Sequence, residues 1–188
     1  MRVAIAEIER VGEAHVRLED VLREANASVS SLYHHYGNIR SLIDEAQMAR
    51  FDSETGQNIQ RFRDAVLRTR DKDDFARLID ATVRDLFSRE RRRNRSRVVN
   101  AFGSIFENPN FQDRLVALQN ANADVLVEAF VNAQVRGFVR EDLDLRGFAI
   151  WCLGLTYSRA VPDMLGDDAA IDAWIDMTIT AVNGLLGL

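Results

Sequence analysis

Apolar residues recur at helical spacing along nearly the whole chain, and little interrupts them. Two prolines and ten glycines punctuate 188 residues. A β-rich chain of this length needs far more turn residues, so the pattern predicts an all-α fold. Val3, Ile5, Ile8 and Val11 share one side of a first helix, which Gly12 closes. Leu18, Val21, Leu22 and Ala25 mark a second. Asn26 follows, and Asn is one of the few residues that accept a left-handed turn conformation. Ser28 or Ser30 offers an N-cap for a third helix, which carries Leu32, Tyr33 and Tyr36 and stops near Gly37. Asn38 caps a fourth, with Ile39, Leu42, Ile43 and Ala46, which runs on through Phe62, Ala65 and Val66 to about Thr69.

The later helices are longer. A polar break at 71–74 precedes an apolar stripe of Phe75, Leu78, Ile79, Val83, Leu86 and Phe87. Residues 89–97 hold six arginines and one glutamate, and read as a solvated connection between helices. Val98, Phe102, Ile105 and Phe106 form a short helix that Asn108-Pro109 should stop. A long helix follows from Leu115 through Ala133 to Gly137. The next carries Phe148, Ala149, Cys152 and Leu155 and is limited by Pro162. The last carries Ile171, Trp174, Ile175, Thr178, Ile179, Val182, Leu185 and Leu186, a broad apolar face. The expected division is a head over 1–46 and a body over 47–188.

Composition narrows the function. Hydrophobic residues make up 47% of the chain, which excludes a disordered segment. Cys152 stands alone, so no intrachain disulfide and no cysteine-based zinc site is possible. No signal peptide or membrane-length apolar run is readable, so a cytoplasmic chain is expected, with no membrane partner. No Gly-rich phosphate loop or nucleophile elbow occurs. The histidines are His15, His34 and His35, and neighbours on a helix point about 100° apart, which makes no chelating pair. No enzyme activity, metal or cofactor is expected.

The segment 18–42, LEDVLREANASVSSLYHHYGNIRSL, places a helix, a tight turn and a short second helix in succession. That is the arrangement of a DNA-reading helix-turn-helix, in which the second helix enters the major groove. It resembles the TetR family of bacterial transcriptional regulators. The family pattern is Ala-Gly-Val, a Ser, a helix ending Leu-Tyr-x-His-Phe, then a Lys and a Leu. Here Ala25-Asn26-Ala27, Ser28, Leu32-Tyr33-His34-His35-Tyr36 and Leu42 stand at those places, and Gly12 with Val16 matches the end of helix one.

The resemblance implies a ligand-responsive regulator, commonly a repressor, that binds operator DNA as a homodimer and is released by a small effector. It implies DNA contacts from Arg17, Ser28, Ser30, Ser31, Tyr33, His34, Asn38 and Arg40, with Tyr36 packing the head. It implies an effector pocket among the middle helices, for which Phe87, Phe102, Phe106, Leu118, Asn122, Leu126 and Trp151 are the candidates, and hence an apolar or aromatic ligand. Gln119 is a further possible hydrogen-bonding partner there. The last two helices form the family's dimer surface, assigned here to Phe148, Cys152, Leu155, Trp174, Ile175, Thr178, Ile179 and Val182. Arg159 is expected to pair with Asp172 or Asp176, within the subunit or across the dimer. The arginine run is expected on the head side of the body, near the DNA.

The departures from the pattern bear on function. Ile39 stands where the family has its phosphate-contacting Lys, Arg17 where it has a capping Thr, and Asn26 where it has Gly. Residues 1–46 carry five arginines against eight acids, a net charge of −3. Phosphate neutralisation dominates DNA affinity. The competing expectation is therefore a TetR-like helical dimer that senses a ligand or binds protein without binding DNA.

Overall fold

Local capping chemistry sets the first four helices. The computed structural model describes residues 1–106 and 109–188, with backbone alone at 54, 104, 109 and 110. Helix α1 (Arg2–Val11) ends on Gly12 at φ 83, and a 3-10 turn, Glu13–His15, leads into α2 (Leu18–Ala25). Asn26 takes the left-handed conformation, φ 49, and lets the Ala27 N–H donate back to the Leu22 carbonyl at 3.0 Å. The Ser28 hydroxyl then accepts from the Ser31 N–H at 3.1 Å and starts α3 (Val29–Tyr36). The Asn38 side chain accepts from the Ser41 N–H at 2.8 Å and starts α4 (Ile39–Arg68).

These helices enclose a small core of Ala4, Ile8, Val21, Leu32, Leu42, Ile43 and Ala46, with Tyr36 packed against it. Helix α4 runs unbroken past residue 46, but its apolar partners change there. The next cluster begins at Met48 and joins Phe51 to Ala101, Ile105, Phe111 and Leu115. The head is therefore tied to the rest through one continuous helix and packs a core of its own.

The body consists of the rest of α4 with α5 (Lys72–Leu86), α6 (Arg92–Phe106), α7 (Pro109–Val135), α8 (Leu145–Ser158), α9 (Ala160–Leu165) and α10 (Asp168–Leu186). Every element among the described residues is helical. Asp71 is the N-cap of α5, and Asp73 and Asp74 lie in its first turn, where acids favour the helix dipole. The polar break is thus Thr69–Asp71, shorter than expected. The helix stop expected at Asn108 lies outside the described residues, and Pro109 opens α7. Pro162 sits in the first turn of α9, where a missing N–H costs little, so it continues the chain as helix.

Two expectations fail on burial. The apolar stripe of α10 faces inward: Ile171, Ile175, Thr178, Ile179 and Val182 join Phe75, Phe130, Phe138 and Phe148 in the main core. Trp174 packs edge-on against Phe87 at 5.0 Å, and Cys152 and Leu155 are half-buried against the same core. The eight residues assigned to the dimer surface therefore serve the subunit's own interior. The exposed apolar and small residues of these helices include Ile150, Trp151 and Gly154 on α8 and Ala173, Met177, Gly184 and Leu185 on α10, where Asp168, Asp172, Asp176 and Thr180 are exposed as well.

The arginine run is the second. Only its first residues form a connection; Arg92–Arg97 are the opening turns of α6. Arg95 is buried and places two guanidinium nitrogens 3.1 and 3.2 Å from the Asp163 carboxylate, while its third donates to the Leu86 and Ser88 carbonyls. Arg159 is fully buried and also meets Asp163, at 2.8 Å, with its guanidinium over the Trp174 ring. Asp172 is taken by Arg89 and Asp176 by Arg84, so neither is the partner of Arg159. A long-range carboxylate on α9 turns part of a run that looks solvated into core.

Candidate functional site

Two regions gather the functional candidates: the outer face of α3 and a cavity in the body. On α3 only Leu32 is buried. Ser30, Ser31 and His34 are exposed, and Tyr33 is 53% exposed. Arg17, exposed, immediately precedes α2. Tyr36 turns inward, as expected. The turn and caps thus place a short helix on the surface of a packed head, with its small hydroxyl side chains and one phenol pointing to solvent.

Other candidates are already engaged. Ser28 and Asn38 spend side-chain oxygens on their caps. Arg40 lies 3.0 Å from Asp44 and 3.2 Å from Glu13, which ties the start of α4 to the 3-10 turn. Arg10 is paired with Glu7 and Arg23 with Asp20, each at 2.5 Å. Three of the head's five arginines are therefore held by head carboxylates, and the acidic balance is felt on its own surface.

A cavity of about 630 Å³ lies between α4, α5, α6, α7 and α8, within the range of small-molecule sites. Phe62, Ile79, Val83, Phe87, Leu126, Phe130 and Phe148 form its apolar wall. Arg91, just ahead of α6, and Asn94, Arg95 and Val98 on one face of that helix line it too, at i, i+3, i+4 and i+7. Inside, the Gln119 amide donates to the Tyr157 hydroxyl at 3.1 Å, and its own oxygen is buried without a hydrogen-bond partner among the described residues.

Of the sequence candidates for this cavity, Phe87 and Leu126 line it and Gln119 does too. Phe102 instead packs on Tyr157 at 4.6 Å, Leu118 joins the cluster around Phe51, and Phe106 is 60% exposed. Asn122 is buried outside the lining, with its Oδ1 near Gly56. Trp151 stacks on the outer side of Phe148. Phe148, Cys152, Leu155 and Val182, read from sequence as dimer residues, are cavity residues. The α4 wall, Asn58, Arg61 and Phe62, was missed. The i, i+3, i+4 and i+7 spacing over 91–98 was a signal that the arginine composition masked.

Burial pushes the Cys152 thiol from an ordinary 9.0 to about 12. It pushes the Tyr157 hydroxyl to about 12 as well, against an opposing hydrogen bond from Gln119. Both groups are neutral in the folded protein at neutral pH. Each loses its proton more readily when unfolded, so their contribution to stability is complete below about pH 9 and is lost as pH rises towards 12. Melting temperature is expected to fall over that window, and Cys152→Ala to make the fall shallower. An unchanged alkaline limb in the variant would show that the thiol is not shielded.

The body also grips the head. Glu9 of α1 lies 3.8 Å from Arg50 of α4 and 3.6 Å from Arg97 of α6, and Gln47 donates to Glu13 at 2.7 Å. Helix α6 therefore presents one face to the cavity and touches the head with another.

Neither a family model nor a curated protein matches the sequence. Solved structures do match along nearly its whole length. Salmonella enterica GusR is 20% identical, with a TM-score of 0.63, over 100% of this chain and 93% of that one. A TetR-family transcriptional regulator from Pectobacterium atrosepticum is 18% identical, with a TM-score of 0.62, over 98% and 89%. The regulator FadR from Bacillus subtilis, solved with stearoyl-CoA, is 14% identical, with a TM-score of 0.59, over 95% and 93%. The chain thus has the all-α fold of the TetR-type transcriptional regulators, as the helix-turn-helix motif implies. No helix among the described residues is long and apolar enough to cross a membrane.

Proposed function

We propose that the chain is a ligand-responsive transcriptional regulator rather than an enzyme. It binds operator DNA as a homodimer through α3 of the 1–46 head, and a small effector in the 47–188 body releases it, the repressing mode common in this family. The observation that carries this reading is the placement of α6. A helix that forms a cavity wall and also holds Glu9 of the head through Arg97 gives an effector a direct way to shift the head. The neighbour with stearoyl-CoA supports a ligand role for the body. Tyr33, Ser30, Ser31 and His34 supply the DNA face of α3, with Arg17 on the flanking backbone. The outward faces of α8 and α10 form the dimer surface.

A titration against fragmented genomic DNA, with selection and sequencing at two salt concentrations, tests it. One palindromic sequence is expected, with affinity falling as salt rises. Recovery of no sequence by a folded dimer sinks the DNA-binding part.

That outcome would favour a second reading, a helical ligand sensor without DNA binding. It is motivated by Arg10, Arg23 and Arg40, whose charges are held by head carboxylates, and by Ile39 at the family's Lys position.

A further inference from the structure

The charge of the cavity is one-sided, and the imbalance has a place. Its mouth is polar and open: Gln57 and Arg61 on α4, Asp85 at the end of α5, Arg91 just before α6 and Asn94 in the first turn of α6. Its depth is apolar, closed by Phe130, Leu126 and Phe148. Among the described lining residues three arginines, Arg61, Arg91 and Arg95, face one carboxylate, Asp85.

The two outer arginines stand at the open mouth. Arg91 donates to Asp85 through two nitrogens, at 2.5 and 3.2 Å, and to Asn58 at 3.5 Å, but that carboxylate is 60% exposed, so water and salt compete for the pair. Arg61 donates to Gln57 at 3.4 Å and has no carboxylate partner among the described residues. Behind them Arg95 is fully committed, and it shares Asp163 with Arg159, so the buried network carries one more positive charge than negative. The first turn of α6 adds the positive end of a fifteen-residue helix. A neutral apolar ligand leaves this field uncompensated, and a cation opposes it.

We propose that the cavity takes an amphipathic organic anion: an apolar chain or ring inside, with a single carboxylate or phosphate at the mouth between Arg91 and Arg61. Both headgroups suit the guanidinium fork. This rests on reading the cavity as the effector site.

The test is calorimetric titration of the full chain with laurate, monododecyl phosphate and 1-dodecanol, below micellar concentration, beside the DNA selection above. Laurate, the phosphate or both are expected to bind at least about tenfold more tightly than the alkanol, and which does so identifies the headgroup. Raising salt should weaken the anions and leave the alkanol unchanged. In a folded R61Q/R91Q variant the anion preference should fall to within about threefold, and Arg91→Lys should restore part of it. Equal binding of anion and alkanol, or an undiminished preference in R61Q/R91Q, overturns the anion site and leaves the regulator standing if an operator is recovered. Binding of none of the three by the folded protein also overturns it, and a missing operator then removes the regulator reading separately.

Discussion

Asp163→Asn is expected to destabilise the protein by about 3–5 kcal/mol, or roughly 10 °C in melting temperature for a chain of this size. The carboxylate is buried and faces two buried guanidiniums, Arg95 and the fully buried Arg159. Asn keeps the volume but removes the only charge that offsets them there among the described residues. Both cations are then left without compensation in a low-dielectric interior. Arg159 differs from Arg95 in how well it is satisfied. Arg95 uses all its nitrogens, whereas the Arg159 Nε has no hydrogen-bond partner among the described residues. Burial, and then the nearby Arg95, lower the basicity of Arg159 against the pull of Asp163. Arg159→Met should therefore cost much less than Asp163→Asn, since it removes one of two like charges that share a single carboxylate. Urea or thermal melts of both variants decide this. If Asp163→Asn melts within about a degree of the parent, the arginines reach water and the network is not a buried one.

What the chain does locally was legible in its sequence, because caps are local chemistry. Asn26, Ser28 and Asn38 specify a turn and two helix starts with no help from the rest of the fold. The helix-turn-helix and its surface-facing Tyr33 follow from those residues and the spacing of Leu18, Val21, Leu32 and Leu42. The inward face of α10 was not legible. Beside its exposed Asp168, Asp172 and Asp176 the helix also exposes Ala173, Met177, Gly184 and Leu185, so apolar or small residues extend beyond one stripe, and period alone does not say which part of them meets the core. The same ambiguity on α8 sent Phe148 and Cys152 to the dimer surface and Trp151 to the cavity, whereas Phe148 and Cys152 line the cavity and Trp151 is exposed. Arg95 shows the other failure. Within 89–97 its neighbours argue for solvent, and the carboxylate that neutralises it when buried, Asp163, lies far along the chain.

The exchange of faces on α8 and α10 yields the sharpest test of assembly. Ile150→Glu combined with Met177→Glu is expected to give folded monomers. The two side chains are 56% and 73% exposed, so each glutamate meets water in the single subunit and a desolvated apolar surface in the dimer. Ile175→Glu and Ile179→Glu place their charges instead in the main core, where both side chains are 8% exposed, and should unfold the subunit. Sedimentation with far-ultraviolet circular dichroism separates the two results: lost dimer with full helicity for the first pair, lost helicity for the second. The dissociation constant should weaken by about 100-fold or more for Ile150→Glu/Met177→Glu, the effect of roughly 3 kcal/mol at an interface of standard size. Operator binding should fall with it, because a single head reads one half-site and the affinity for a palindrome depends on two held at fixed spacing. A dimer that persists in the double variant places the interface on another surface and removes α8 and α10 from that role. A variant that turns monomeric yet holds a palindromic operator as tightly as the parent would instead show that subunit pairing is supplied by the DNA.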